Sequence, residues 1–526
     1  MTTLSALPSP RHRSTDLLTR PDVLLDGGLL HLVHDDVTPW QARIDDLRVT
    51  ADALDAAGIP VLLIRRDRST PALVVDAEHR RAVVDALREH LPADPFYVKA
   101  KGLPPVPVED AAPPASAPSA LRVYRPRITP QRTLRYGTSL AARIEFWRFG
   151  DQFVEAPADN ALTRDVIPAA DLRYATVQRY GRSWRTLDGM FDAHPDEFRE
   201  DVDIVFSWVD GSSTDFQRQR AAQLAAHVVG EGDDGPARYR HVDELRYALR
   251  SVHMYAPWIR RIFIATDSPA PRWLADHPKV RIVRSEEFFA DPSVLPTHNS
   301  HAVEAQLHRI PGLSEHFLYS NDDMFFGRMV EPELFFTPAG TTKFVESEVR
   351  IGVGDPLTER SGHDNGLRVN RALLRERFGR TIVRDLEHCA APLRRSILFE
   401  MEEAFPEEFA RTAAARFRSV SDISVTNSLY HYYAMFTGRA VPTTEARVRY
   451  VQTTITGALE RIHRLTERTD LDMFCLNDGW ETEVPEQLRM RAVRHALERL
   501  FPIRAPWEKS DEIAGSGADA AGAATG

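Results

Sequence analysis

The sequence predicts an α/β protein: a wound, mostly parallel sheet with a helical C-terminal part and a small α/β unit at the N-terminus. Three observations carry this. Short β-prone runs alternate with helical patterns between residues 201 and 320, as in sheets whose parallel strands are joined by crossover helices. A Pro/Ala-rich stretch at 106–120, including Ala112-Pro-Pro-Ala-Ser-Ala-Pro118, carries no hydrophobic period and reads as a linker. The 526 residues exceed what one ordinary core supports, so two or three domains are expected.

Taken in order, residues 1–20 and the Gly/Ala-rich tail 510–526 are expected to be disordered. In the unit 21–105, Leu24–Leu32 and Val61–Ile64 read as strands, and Gln41–Ala57 and Ala77–Leu91 as helices. Residues 121–200, with Phe146 and Trp147, form a lead-in to the main domain at 201–509. There Asp203-Ile-Val-Phe-Ser-Trp-Val209 is a strand ending in Asp210-Gly211. The segment His241–Tyr255 repeats Val242, Leu245, Leu249 and Val252 at helical spacing. Strands at Ile262–Thr266 and Val280–Val283, a helix at Ser300–Arg309 and a strand at Phe317–Ser320 complete the pattern.

Hydrophobic content of 43% and charged content of 27% mark a folded soluble chain. A net charge of −10 argues against a global nucleic-acid or anionic-membrane footprint, so no nucleic-acid partner is expected. Two cysteines, Cys389 and Cys475, make neither a disulfide scaffold nor a structural zinc site. No apolar run is long enough to span a bilayer, and no secretory signal opens the chain. The reading is a cytoplasmic protein, with room for peripheral association with a membrane export complex at the inner face.

The most informative segment is Phe317-Leu-Tyr-Ser-Asn-Asp-Asp-Met-Phe-Phe-Gly327. It reads as a buried strand that ends by presenting Asn321, Asp322 and Asp323 at the rim of a sheet. Two adjacent carboxylates beside an apolar core repel, and a divalent metal would remove that cost. Hard oxygen donors suit Mg²⁺ or Mn²⁺. Ligands of wound sheets sit at strand carboxyl ends. Three strands here end in polar loops: Asp210-Gly211, Thr266-Asp267 and Asn321-Asp322-Asp323. Phe474-Cys-Leu-Asn-Asp-Gly479 repeats the pattern, and its Asn477 and Asp478 could complete a metal's coordination, although an ordinary Asn-Asp-Gly turn also fits.

Asp243, Arg246, Arg250 and His253 fall on one helix face, either a solvated salt-bridged surface or a phosphate grip. In Leu295-Pro-Thr-His-Asn-Ser-His301, Asn299 or Ser300 caps a helix, or His298 and Asn299 bind substrate. His388-Cys-Ala-Ala-Pro-Leu-Arg-Arg-Ser396 places a histidine beside Arg394 and Arg395, and Arg416-Phe-Arg-Ser419 adds Arg418. Solvated surface charge and phosphate contact both fit these runs.

Together and in this order, four blocks resemble the Stealth family of sugar-phosphate transferases, which includes bacterial capsule polymerases and the animal enzyme that makes the mannose 6-phosphate tag. The blocks are Asp203–Ser212, Arg240–Phe344, His388–Ser396 with Arg416–Ser419, and Phe474–Gly479. The chain departs from the family at Asp210, often Asn, at His298, often Phe or Asn, and at His388-Cys-Ala-Ala-Pro392, often His-x-Pro.

The resemblance implies a nucleotide-sugar-transferase-like fold. It implies transfer of a whole sugar-1-phosphate from a nucleotide-diphosphate sugar to a saccharide acceptor, giving phosphodiester-linked exopolysaccharide or capsule. In that scheme Asp322, Asp323, Asn477 and Asp478 hold Mg²⁺ or Mn²⁺. Arg246, Arg250, Arg395 and Arg418 screen the attacked phosphate. His388, or failing it His298, takes the acceptor proton. Asp210, Gly211, Asp243, Asn299 and Asn321 orient the substrate. The rival readings are an ordinary glycosyltransferase using the same donor and a non-catalytic carbohydrate-binding homologue.

Overall fold

The computed structural model describes residues 16–67, 69–112, 118–211, 218, 242–479 and 482–510. The chain divides into two compact units, Met1–Pro195 and Asp196–Gly526. The disorder expected at 1–15 and 511–526 falls outside the described residues. Residues 16–20 depart from that expectation: Leu17 is buried, and Arg20 pairs with Asp22 and Asp94 at 2.7 and 2.9 Å.

The first unit is built on a mixed sheet. Its longest strand, Ala142–Phe149, runs parallel to Pro71–Asp76 and antiparallel to Ala120–Tyr124. Strand Pro71–Asp76 is buried almost throughout because both faces are covered. Leu73 and Val75 meet helices Pro39–Ala56 and Arg80–His90 on one side, while Ala72 and Val74 meet Trp147, Leu187 and Met190 on the other. Helix Pro39–Ala56 starts where a capping box predicts: the Thr38 and Gln41 side chains reciprocally satisfy each other's backbone N–H. The stretch expected to be a lead-in after a linker supplies strands to the same sheet as residues 62–76, so 21–105 is not a separate body. The expected strand Leu24–Leu32 is a hairpin, Val23–Asp26 with Leu29–Val33, turned at Gly27-Gly28, both with positive φ.

The second unit carries the elements of interest. Its strands include β1 (Val202–Ser207), β2 (Ile262–Ala265), β3 (Val280–Val283), β4 (His316–Asn321), β5 (Met324–Phe326), β6 (Ala391–Arg394), β7 (Val448–Gln452) and β8 (Met473–Asn477). Five of them form a sheet of order β3-β2-β1-β4-β6. The first four are parallel and β6 is antiparallel. A second sheet has the order β5-β8-β7. Parallel pairing is present among β3, β2, β1 and β4, while the sheets of the chain taken together are mixed. Elsewhere parallel and antiparallel pairs mix: β5 runs antiparallel to β8, which runs parallel to β7.

Four helices bear on the site: α1 (Glu244–Tyr255), α2 (Ser300–Glu304), α3 (Gly362–Phe378) and α4 (Glu486–Leu500). The expected helix Ser300–Arg309 breaks into α2 and a single turn at Leu307–Arg309. The part of the chain after residue 360 is chiefly helical, as expected, with β6 to β8 threaded through it. Both cysteines are buried thiols. Among the described residues no helix is long and apolar enough to cross a membrane.

Candidate active site

Register places the acidic strand ends side by side. Ser207, the last residue of β1, is level with Ala265 of β2 and Asn321 of β4. The chain leaving β1 is pinned here, since Trp208 N–H donates to the Ala265 carbonyl at 3.1 Å and Asp210 N–H to Ser268 Oγ at 2.9 Å. A buried hydroxyl network fixes the end of β4. Tyr319 Oη lies 2.8 Å from Ser207 Oγ and donates to Asn321 Oδ1 at 3.0 Å. Glu304 of α2 receives Tyr319 at 3.3 Å and Thr426 at 2.6 Å. Asn321 is thus a tether of two strand ends.

Asp322 and Asp323 occupy the turn from β4 into β5, where the chain passes from the first sheet to the second. Leu476 N–H donates to the Asp323 carbonyl at 3.0 Å, which brings the Asn477-Asp478 end of β8 to the same place. Asp323 Oδ1 is buried and has no hydrogen-bond partner among the described residues. Burial pushes this carboxyl up to about 6, and the like charges of Glu244 and Asp478 add to the effect. Asp478 accepts from Thr453 Oγ1, and its Oδ1 lies 3.6 Å from the Arg489 guanidinium, whose side chain is 2% exposed. Asn477 Nδ2 donates to Tyr450 Oη at 2.6 Å.

Among the described residues, no three His, Cys, Asp or Glu side chains gather into a ready metal cage. The donors fit a different kind of ion. Mg²⁺ keeps several waters and substrate phosphates and needs only one or two protein carboxylates. A buried, unpartnered Asp323 oxygen beside Asp478 is the kind of position such an ion relieves.

The histidines and arginines separate into two groups. His388 is half-buried, with its ring 5.1 Å from that of Tyr450 and 6.0 Å from that of His363. Burial, aided by His363, lowers its pKa to about 4. Arg418 Nη2 donates to Ser300 Oγ at 2.9 Å. Its stem lies against Gly362, where an added Cβ would meet Cδ at 2.6 Å. These residues stand around the acidic strand ends.

The others are drawn elsewhere. Arg246 Nε and Arg250 Nε each donate to Glu508 at 2.6 Å, and Arg250 also reaches the Phe501 carbonyl at 2.9 Å. Glu508 is 1% exposed, so this face of α1 is a buried anchor for the C-terminal segment. Arg395 departs from the expectation. Because β6 is antiparallel, Arg395 lies beside Glu315, at the amino end of β4. That is roughly 20 Å from Asp322 at ~3.3 Å per residue. Its guanidinium donates to the His308 carbonyl at 2.6 Å.

Asn299 acts as the cap of α2, receiving His301 N–H at 3.0 Å, and as a buried tie to Asp422 at 2.7 Å. His298 stacks on Phe417 with ring centroids 5.4 Å apart. Asp243 sits at the start of α1 with φ of 61°.

Four residues that sequence reading passed over stand here: His363, Asp385, Tyr450 and Arg489. His363 Nε2 and Asp385 Oδ2 are 2.9 Å apart. Burial disfavours the His363 charge, but the Asp385 carboxylate outweighs it and holds the pKa above the ordinary histidine value. The only trace in sequence is the pair Gly362-His363 and Asp385-Leu-Glu-His388, which have no spacing rule to join them.

Residues 238–344, 387–435 and 463–514 match the models of Stealth protein conserved regions 2, 3 and 4. The chain belongs to the Stealth family. It is 50% identical, over 94% of its length and 94% of the relative's, to exopolysaccharide phosphotransferase CpsY of Mycobacterium tuberculosis. It is 51% identical to an exopolysaccharide phosphotransferase of Nocardia farcinica, covering 89% of this chain and 88% of that one.

Proposed function

We propose that this chain transfers a sugar-1-phosphate from a nucleotide-diphosphate sugar to a hydroxyl of a saccharide acceptor, building exopolysaccharide or capsule linked by phosphodiesters. The observation that carries this is half-identity along almost the whole chain to proteins named exopolysaccharide phosphotransferase. The strand ends in register supply a place for it.

The attacked phosphorus is anionic, so cationic groups must offset charge as the acceptor oxygen approaches. Arg418, held by Ser300 beside Gly362, is the arginine we assign to this task. Asp322, Asp323, Asn477 and Asp478 would hold Mg²⁺ or Mn²⁺, which supplies charge neutralisation for the departing nucleotide. Asp210 and Gly211, at the end of β1, and Asn321, at the end of β4, shape the donor side of the site. Asp243 stands at the mouth of α1. Arg246 and Arg250 support this floor through Glu508, and Asn299 and His298 support the loop that carries Arg418. The reaction would take place on the cytoplasmic side, with the protein peripheral to an export complex.

The test is a panel of nucleotide-diphosphate sugars incubated with the full chain, Mg²⁺ or Mn²⁺ and oligosaccharide acceptors. Release of nucleoside monophosphate, coupled to acceptor and dependent on metal, is the expected result. Release of nucleoside diphosphate would mark an ordinary glycosyltransferase. No turnover with any donor, alongside retained saccharide binding, would mark a binding homologue.

A further inference from the structure

His363 is oriented by a carboxylate, Asp385, whose Oδ2 lies 2.9 Å from its Nε2. It lies in the first turn of α3, next to Gly362, on which the Arg418 stem packs. Asp385, on the strand Arg384–Leu386, faces it at 2.9 Å. An ionised carboxylate can only accept, so Nε2 of His363 carries the proton of that bond and the lone pair lies on Nδ1. Between His363 and the acidic strand ends lie His388, with ring centroids 6.0 Å apart, then Tyr450, with its ring centroid 5.1 Å from that of His388, and Asn477, whose Nδ2 donates to Tyr450 Oη at 2.6 Å.

We propose that His363, oriented by Asp385, is the base that takes the proton of the acceptor hydroxyl. This rests on the sugar-1-phosphate reading given above. In the step, the hydroxyl proton passes to His363 Nδ1 and the hydroxyl oxygen forms a bond to the donor's sugar-bearing phosphorus. The bond from that phosphorus to the oxygen shared with the nucleotide breaks, and its electron pair leaves on the nucleoside monophosphate.

His388 is the evident competitor. Among the described residues it has no carboxylate hydrogen-bonded to it, and its burial, with His363 alongside, makes it a weak base. The groups facing His363 are Asp385 from its strand, His388 from the following loop, Arg418 from the loop after 415, and Asp364 on α3 itself. The two carboxylates favour the imidazolium and Arg418 opposes it. Removing Asp385 therefore has one direction: it makes His363 a weaker base that titrates lower. His388, whose charge Asp385 also favours, would move the same way but from a much lower starting point.

The experiment is the pH dependence of kcat/KM for the acceptor, measured on the full chain as wild type, His363→Gln, Asp385→Asn and His388→Gln. Binding of a nucleoside monophosphate is followed in parallel, as a fold check that does not use turnover. The expected wild-type profile falls as pH drops below a limb above about 6.5, the ordinary histidine value. Asp385→Asn moves that limb to lower pH. His363→Gln loses on the order of 100- to 10,000-fold in kcat with nucleotide binding kept.

The inference is overturned if the wild-type rate holds flat to near pH 4, or if His363→Gln keeps its turnover while His388→Gln loses it. If Asp385→Asn does not fold, the wild-type limb and the His363→Gln rate still decide. Failure of the underlying reading looks different: the wild type itself would then release nucleoside diphosphate or nothing.

Discussion

Replacing Glu508 with Gln keeps the side chain's shape and removes one negative charge from between two arginines. In the native protein that carboxylate is 1% exposed and receives three charge-assisted bonds, at 2.6 Å from Arg246 and at 2.6 and 2.7 Å from Arg250. Arg250 is 9% exposed and Arg246 21%, so Arg250 bears most of the loss and Arg246 is partly rescued by water. Removing one partner of a buried pair costs about 3–5 kcal/mol. With Arg246 partly solvated and one amide oxygen still accepting, about 3 kcal/mol is expected. At ~3 kcal/mol per M of urea that lowers the unfolding midpoint by about 1 M.

The assay is urea unfolding followed by fluorescence, repeated across pH. Burial raises the Glu508 pKa, but the Arg250 hydrogen bond and charge outweigh it, so the folded value is depressed. The stability this group supplies is present above its unfolded pKa of about 4.3 and is lost as pH falls through the folded value. The gap between wild type and variant should therefore close in acid. An unchanged midpoint, together with tighter binding of a nucleotide-sugar donor, would refute the anchor. It would mean that Arg246 and Arg250 are phosphate ligands which Glu508 merely covers.

Asp323→Ala should lower nucleotide release by at least ~100-fold and flatten its dependence on Mg²⁺ concentration, measured in the same turnover assay. Arg418→Lys keeps the charge but loses the planar fork, so the donor KM should rise about 10-fold with kcat less affected. In the first unit, Asp46 is buried and receives Arg125 and Arg127, each at 2.8 Å. Asp46→Ala should destabilise that unit by about 3–5 kcal/mol, read as an earlier transition in limited proteolysis or calorimetry.

The four parallel strands of the central sheet are legible as short β-prone runs bounded by polar residues, and Val280–Val283 has the expected bounds. The convergence of Asp210, Asn321 and Asp323 was also legible, since parallel strands put their carboxyl ends on one edge. Sequence could not show the reversal at β6. His388 and Arg395 sit on one short segment, yet an antiparallel edge strand carries them to opposite ends of the sheet. Nor could it show that Arg246 and Arg250 meet a carboxylate about 260 residues later, a long-range pairing with no local signal. His363 and Asp385 were missed for the same reason. The part of the Pro/Ala-rich stretch that is described does not stand apart from the core, since Val106–Pro107 is a strand and Val108 and Ala111 are buried.

The most direct test of the central claim is a nucleotide-diphosphate sugar labelled in its sugar-bearing phosphate, turned over by the full chain with a saccharide acceptor. The account predicts that the label appears in the acceptor as a phosphodiester while unlabelled nucleoside monophosphate is released. Label retained in nucleoside diphosphate, with the sugar alone transferred, would contradict it.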